Sequence, residues 1–162
     1  MKNLITKRFM YTLATTYIVL SVASCVEEEN CSQYGRESLT CNVYTLEDSK
    51  AVKDTLTLDS LHVTALGTDS IILNRGAKVG SFSLPLRYTN DTTTFVLKYI
   101  NNIKDTIRVI HTNTPKFISM DCGYQVSQVV EKVSYTKHQL DSIYISDEEA
   151  NTTGTENLKL FY

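Results

Sequence analysis

The sequence has no tryptophan, two prolines and three histidines, and nowhere do its 16 lysines and arginines gather into a basic cluster. His62, His111 and His138 stand alone. None is spaced with another His or Cys as a pair of metal ligands would be, so no metal site is expected. There is no glycine-rich phosphate loop, no G-x-S-x-G and no evident pair of buried carboxylates. "SDEEANTTGTEN" gathers Asp147, Glu148, Glu149 and Glu156, but it lacks the alternating acidic spacing and turn glycine of an EF-hand loop. It reads as a solvated charge run. A Cys122 nucleophile served by a distant His is less economical than a structural disulfide at the same cysteine. These absences lead us to expect no enzymatic activity, no cofactor and no metal. The negative net charge without a basic patch argues against nucleic acid or anionic lipid as a partner.

Long apolar runs are also missing. The uncharged stretch from Phe9 to Val22 falls short of the roughly 20 residues needed to cross hydrocarbon as a helix. Lys2, Lys7 and Arg8 precede it and small residues end it, the pattern of a secretory signal. Val22-Ala23-Ser24-Cys25 resembles the lipobox of bacterial lipoproteins. That resemblance implies a signal peptide over residues 1–24, with Cys25 becoming the acylated first residue and holding the protein on a membrane. Glu27-Glu28-Glu29 follow at once. They resemble the export signal that sends lipoproteins of Bacteroidota-type bacteria to the outer face of the outer membrane; as a bare charge run they would be a solvated tether. The expected address is the outer membrane, lipid-anchored and facing the cell surface. The alternatives are the periplasmic face and a conventionally cleaved, soluble secreted protein.

Beyond residue 24 the chain suffices for one domain with a proper core, here divided into an acidic tether (25–37) and a folded region (38–162). Cys31, Cys41 and Cys122 remain, and in an oxidising compartment the arithmetic is one disulfide and one spare thiol. Cys41 alternates with apolar residues in "SLTCNVYT" and reads as a small core residue of a strand. The expected pair is Cys31–Cys122, with Cys41–Cys122 as the alternative.

The rest is short period-two runs rich in β-branched residues. Strands are expected near 38–45, 56–66, 70–73, 81–86, 93–100, 106–112, 117–120, 124–135, 142–146 and 157–162. The clearest is "TTTFVLKYINNIKDTIRVIHT": Phe95, Leu97 and Tyr99 share one face, "INNIKD" turns, and Ile107 and Val109 return, a β-hairpin. Pro85 in "SLPLRY" marks an edge strand or bulge. "VSQVVEKV" has helical spacing, but its β-branched content speaks for a strand. Many short strands without a βαβ rhythm predict a single antiparallel β-sandwich, immunoglobulin-like in class, with a lipocalin-like barrel as the alternative.

Asp followed by Ser or Thr recurs before strand residues, at Thr55, Ser60, Ser70, Thr92, Thr106 and Ser142. An Asp ending a turn and capping local N–H groups explains this pattern. The pattern also resembles the O-glycosylation acceptor of exported Bacteroidota-type proteins, so the same six residues are candidate acceptors. Together, the lipobox, Cys31, "SFSLPL", the "TTFVLKY…KDTIRV" hairpin, "FISMDCGYQV" and "ENLKLFY" resemble a family of small uncharacterised lipoproteins of such bacteria. The resemblance implies location and fold but no activity. The expected role is a lipid-anchored, non-enzymatic accessory or binding module whose partner is a protein or glycan. The alternative is an adhesive or structural component that assembles by edge-strand addition through "NLKLFY".

Overall fold

The computed structural model describes residues 31, 35–48, 50–53, 60–68 and 70–162. Ten strands follow in order: β1 (Leu39–Glu47), β2 (Lys50–Lys53), β3 (Leu61–Ala65), β4 (Ile71–Gly76), β5 (Ser81–Leu84), β6 (Thr92–Lys98), β7 (Lys104–Ser119), β8 (Gly123–Tyr135), β9 (Ser142–Ile145) and β10 (Glu156–Phe161). They form two five-stranded sheets. One runs β2-β1-β10-β9, with β5 also on β1; the other runs β4-β3-β6-β7-β8. This is the all-β sandwich that the alternation predicts.

Period two explains which side chains meet. Leu39, Cys41 and Val43 of β1 join Leu158 and Leu160 of β10, while Phe95, Leu97, Ile107 and Val109 come from the other sheet. All nine are fully buried and belong to one cluster. Each large apolar side chain so buried contributes roughly 1.5–3 kcal/mol. The predicted hairpin is present, with Lys98 opposite Lys104 and Asn102 in the left-handed region at φ 59°. "VSQVVEKV" is strand, within β8.

Three features differ from expectation, and a fourth, at Pro85, agrees with it. β1 and β10 pair in parallel, whereas a uniformly antiparallel arrangement was expected; a hydrophobic pattern carries no strand direction. β2 is an additional strand, exposed along its whole length and therefore without an apolar signal. The predicted strands at 106–112 and 117–120 are one continuous β7 running through Pro115. Proline is tolerated there because β6 pairs with β7 only as far as Ile110, leaving Pro115 on an open edge. Pro85 immediately follows β5, whose only partner is β1, so β5 is an edge strand.

Candidate functional site

Beyond Ile110, β7 has lost β6 and pairs only with β8, from His111 opposite Val130 to Ser119 opposite Gly123. The register shifts between Ile110/His111, where Glu131 is the extra residue of β8. Such a bulge bends a strand, and here it sits where the ribbon leaves the sandwich. The result is a two-stranded arm. Gly123, with φ 69°, supplies the left-handed residue that closes its tip after Met120-Asp121-Cys122.

The arm is unusually apolar on its outside. Phe117 and Tyr124 are directly opposed, with ring centroids 5.3 Å apart and edge-on, yet 51% and 73% exposed. Met120 at the tip is 90% exposed. An isolated two-stranded ribbon is marginal in water, so the arm needs outside support. Cys31 and Cys122 provide it: they are disulfide-bonded, with Cα atoms 5.4 Å apart. This is the pair expected from the sequence, and Cys41 is left as a buried free thiol whose pKa burial raises.

Residues 35–37 lie along β8. Gln125 Nε2 donates to the Gly35 carbonyl at 3.1 Å, and the Gln128 amide donates to Glu37 Oε2 at 3.1 Å. Burial raises the Glu37 pKa, against the lowering effect of that amide bond. Arg36 donates to the Leu86 carbonyl at 2.6 Å and lies 4.8 Å over the Tyr88 ring. Further along, Val130 donates to the Glu148 carbonyl and Ala150 to the Gln128 carbonyl. Both stretches cover the outer edge of β8. An open hollow of about 330 Å³ remains beside the staple, lined by Arg36, Tyr88, Ile118, Tyr124 and Val126.

At the arm's base His111 is fully buried, its Nε2 2.9 Å from Thr93 Oγ1. Burial lowers its pKa, opposed by Asn113 and by the carboxylates of Asp91 and Glu131, so it is a neutral packing group. A larger open hollow, about 520 Å³, is lined by Ser60, His62, Arg75, Lys98 and Asn102 among others. Ser60, Arg75 and Asn102 all have positive φ there. Its polar groups include no nucleophile paired with a base. Among the described residues no three His, Cys, Asp or Glu side chains group as metal ligands.

Among the carboxyl groups, Asp105 is strongly perturbed. It has no exposed surface and accepts from Thr136 Oγ1, the amides of His138, Gln139 and Leu140, and His138 Nδ1, at 2.7–3.0 Å. Burial alone would raise its pKa. The hydrogen bonds from Gln139, Thr136, His138 and Leu140 outweigh that and lower it to about 2. A perturbed acid is often a sign of chemistry. Here both oxygens are consumed by the 136–140 loop, so the carboxylate is a structural cap. Sequence reasoning missed this role because it looked for caps next door, and these donors lie 31 to 35 positions away.

Of the sequence-predicted residues, Val22, Ala23, Ser24, Cys25, Glu27, Glu28, Glu29 and Thr55 lie outside the described residues. Ser60 and Ser70 immediately precede β3 and β4, while Thr92 and Ser142 open β6 and β9, as the turn-then-strand reading requires. Thr106 differs: it lies inside β7, opposite Val96 and next to the buried Asp105. It is not in the exposed turn that an acceptor needs. "NLKLFY" is not an edge either, since β10 lies between β1 and β9.

The fold and its stapled arm define a class: a small all-β sandwich with a projecting, disulfide-pinned hairpin. The chain belongs to a family of unknown function, DUF6452, whose model matches residues 60–162. The arm and Cys122 lie within the matched residues, and Cys31 precedes them. No curated protein and no solved structure matches the chain.

Proposed function

We propose that the chain is a lipid-anchored protein of the bacterial cell envelope, non-enzymatic, acting as an accessory or partner-binding module. The observation that carries the reading is the Cys31–Cys122 disulfide. Such bonds persist in oxidising compartments, which agrees with an exported chain. The basic and apolar start and the Val22-Ala23-Ser24-Cys25 sequence supply the matching address. Edge-strand assembly has no comparable support. The outer edge of β8 is covered, and the open edge of β7 carries Pro115 and Lys116, two residues that blunt strand addition.

Replacing the acylated residue is the decisive test. Cys25→Ser should abolish incorporation of labelled palmitate and either release the protein from membranes or leave its precursor uncut. Incorporation that survives the substitution overturns the reading. Surface display has a separate test. Replacing Glu27, Glu28 and Glu29 with alanine should hide the domain from protease added to intact cells, and unchanged accessibility would make the run a spacer.

A further inference from the structure

The staple limits how far the arm tip can lie from the anchor. Cys31 lies six positions after Cys25, and a fully extended chain gains at most ~3.3–3.6 Å per residue. With the Cys31 and Cys122 Cα atoms 5.4 Å apart, the arm tip lies within roughly 25 Å of a lipidated Cys25, whatever path the tether takes. The hairpin turn between β6 and β7 is at the other end of β7. Lys104–Ser119 is 16 residues long, so along the strand that turn is up to roughly 50 Å from the tip. The end held close to the bilayer is also the end that exposes Phe117, Met120 and Tyr124. Tyrosine and phenylalanine suit the boundary between headgroups and acyl chains, where an apolar ring and a polar tip are both accommodated.

We propose that the tip of the β7–β8 arm, through Phe117, Met120 and Tyr124, rests in the headgroup–acyl boundary of the bilayer that holds the lipid anchor. This inference depends on the lipid-anchored reading above. The contact is apolar and needs no anionic lipid, in keeping with the chain's negative charge. Exposed Asp121 beside Met120 limits its depth. Two attachments, one covalent and one through the arm, hold the domain upright with the β6–β7 turn outward.

The absence of tryptophan makes the test direct, because one substitution introduces a unique fluorophore. Met120→Trp and, as the control, Ile100→Trp at the 66% exposed β6–β7 turn are made in the full chain and purified from membranes. Each is reconstituted into vesicles of phosphatidylethanolamine and phosphatidylcholine, with and without phosphatidylcholine brominated near the headgroup end of its chains. Flotation with the vesicles reports the anchor; quenching reports the tip. The expected result is that both variants float, Met120→Trp shifts to the blue and loses roughly half its emission to bromine, and Ile100→Trp is unchanged. Flotation with no quenching of Met120→Trp overturns the arm contact and leaves the anchor standing. A blue shift without quenching assigns the tip to a second copy or another protein, and equally overturns it. Failure to float removes the anchor and the arm contact together.

Discussion

Cys122→Ser should lower the stability of the domain by about 2–5 kcal/mol under non-reducing conditions, the usual consequence of losing a native disulfide from a small domain. The bond spans 91 positions, and closing a loop of that length is worth about 4–5 kcal/mol if the effect is chiefly chain entropy. Reduction of the unsubstituted protein should produce the same loss, and the variant should be indifferent to reductant. The damage should be uneven. Amides of the arm, which has no third strand and no core of its own, should lose hydrogen-exchange protection first, while those of β6 and the paired half of β7 keep theirs. Cys41→Ala removes only a small buried group and should cost about 1 kcal/mol. Peptide mapping that recovers a Cys41–Cys122 link, or three free thiols, contradicts this account.

Asp105→Ala should be at least as damaging, at about 3–5 kcal/mol in denaturant unfolding, because it leaves the loop amides of His138, Gln139 and Leu140 and the Thr136 hydroxyl without their acceptor. Asp105→Asn should do little better. One of its two terminal atoms becomes an N–H donor and faces donors on whichever side it turns. Acid titration gives an independent signature. The carboxyl has a pKa of about 2 in the folded protein against 3.8 as its ordinary value. A group whose folded pKa is depressed stabilises fully above its unfolded value and loses that effect as pH falls through the folded one. Roughly 2 kcal/mol should therefore disappear between about pH 4 and pH 2, and that slope should be absent from Asp105→Asn. An Asp105→Asn protein with the parent's stability and acid profile would refute the cap.

Much of the sandwich could be read along the chain because its strands obey period two with little interference. Phe95, Leu97, Ile107 and Val109 alternate with polar residues and are all buried. Cys31 and Cys122 were separable from Cys41 for the same reason: a cysteine in phase with Leu39 and Val43 belongs to a core. What could not be read depends on partners rather than on pattern. Nothing in 113–119 announces that β6 stops short, so neither the arm nor the tolerance of Pro115 was visible. Exposed aromatics at 117 and 124 obey the same alternation as buried ones. The cap at Asp105 resembles six other Asp-Ser/Thr pairs in sequence and differs in which loop is folded over it.

The parallel pairing of β1 with β10 has a consequence for how the chain acquires its structure. The Thr40 amide donates to Asn157 Oδ1 across 117 positions, and the parallel ladder runs on from there to Tyr44 opposite Phe161. A chain that emerges N-terminus first, from a ribosome or through a membrane pore, presents β1 with half its neighbours missing. Leu39, Cys41 and Val43 lack the Leu158 and Leu160 that cover them until more than a hundred further residues have arrived. The hairpins β6–β7 and β7–β8 can close as they appear, but contacts of such long range are slow to form and leave sticky intermediates behind them. Maturation is then paced by the arrival of residues 156–161, with sequestration by a holding chaperone most needed before that moment. β1, the first strand among the described residues, is among the last to be enclosed.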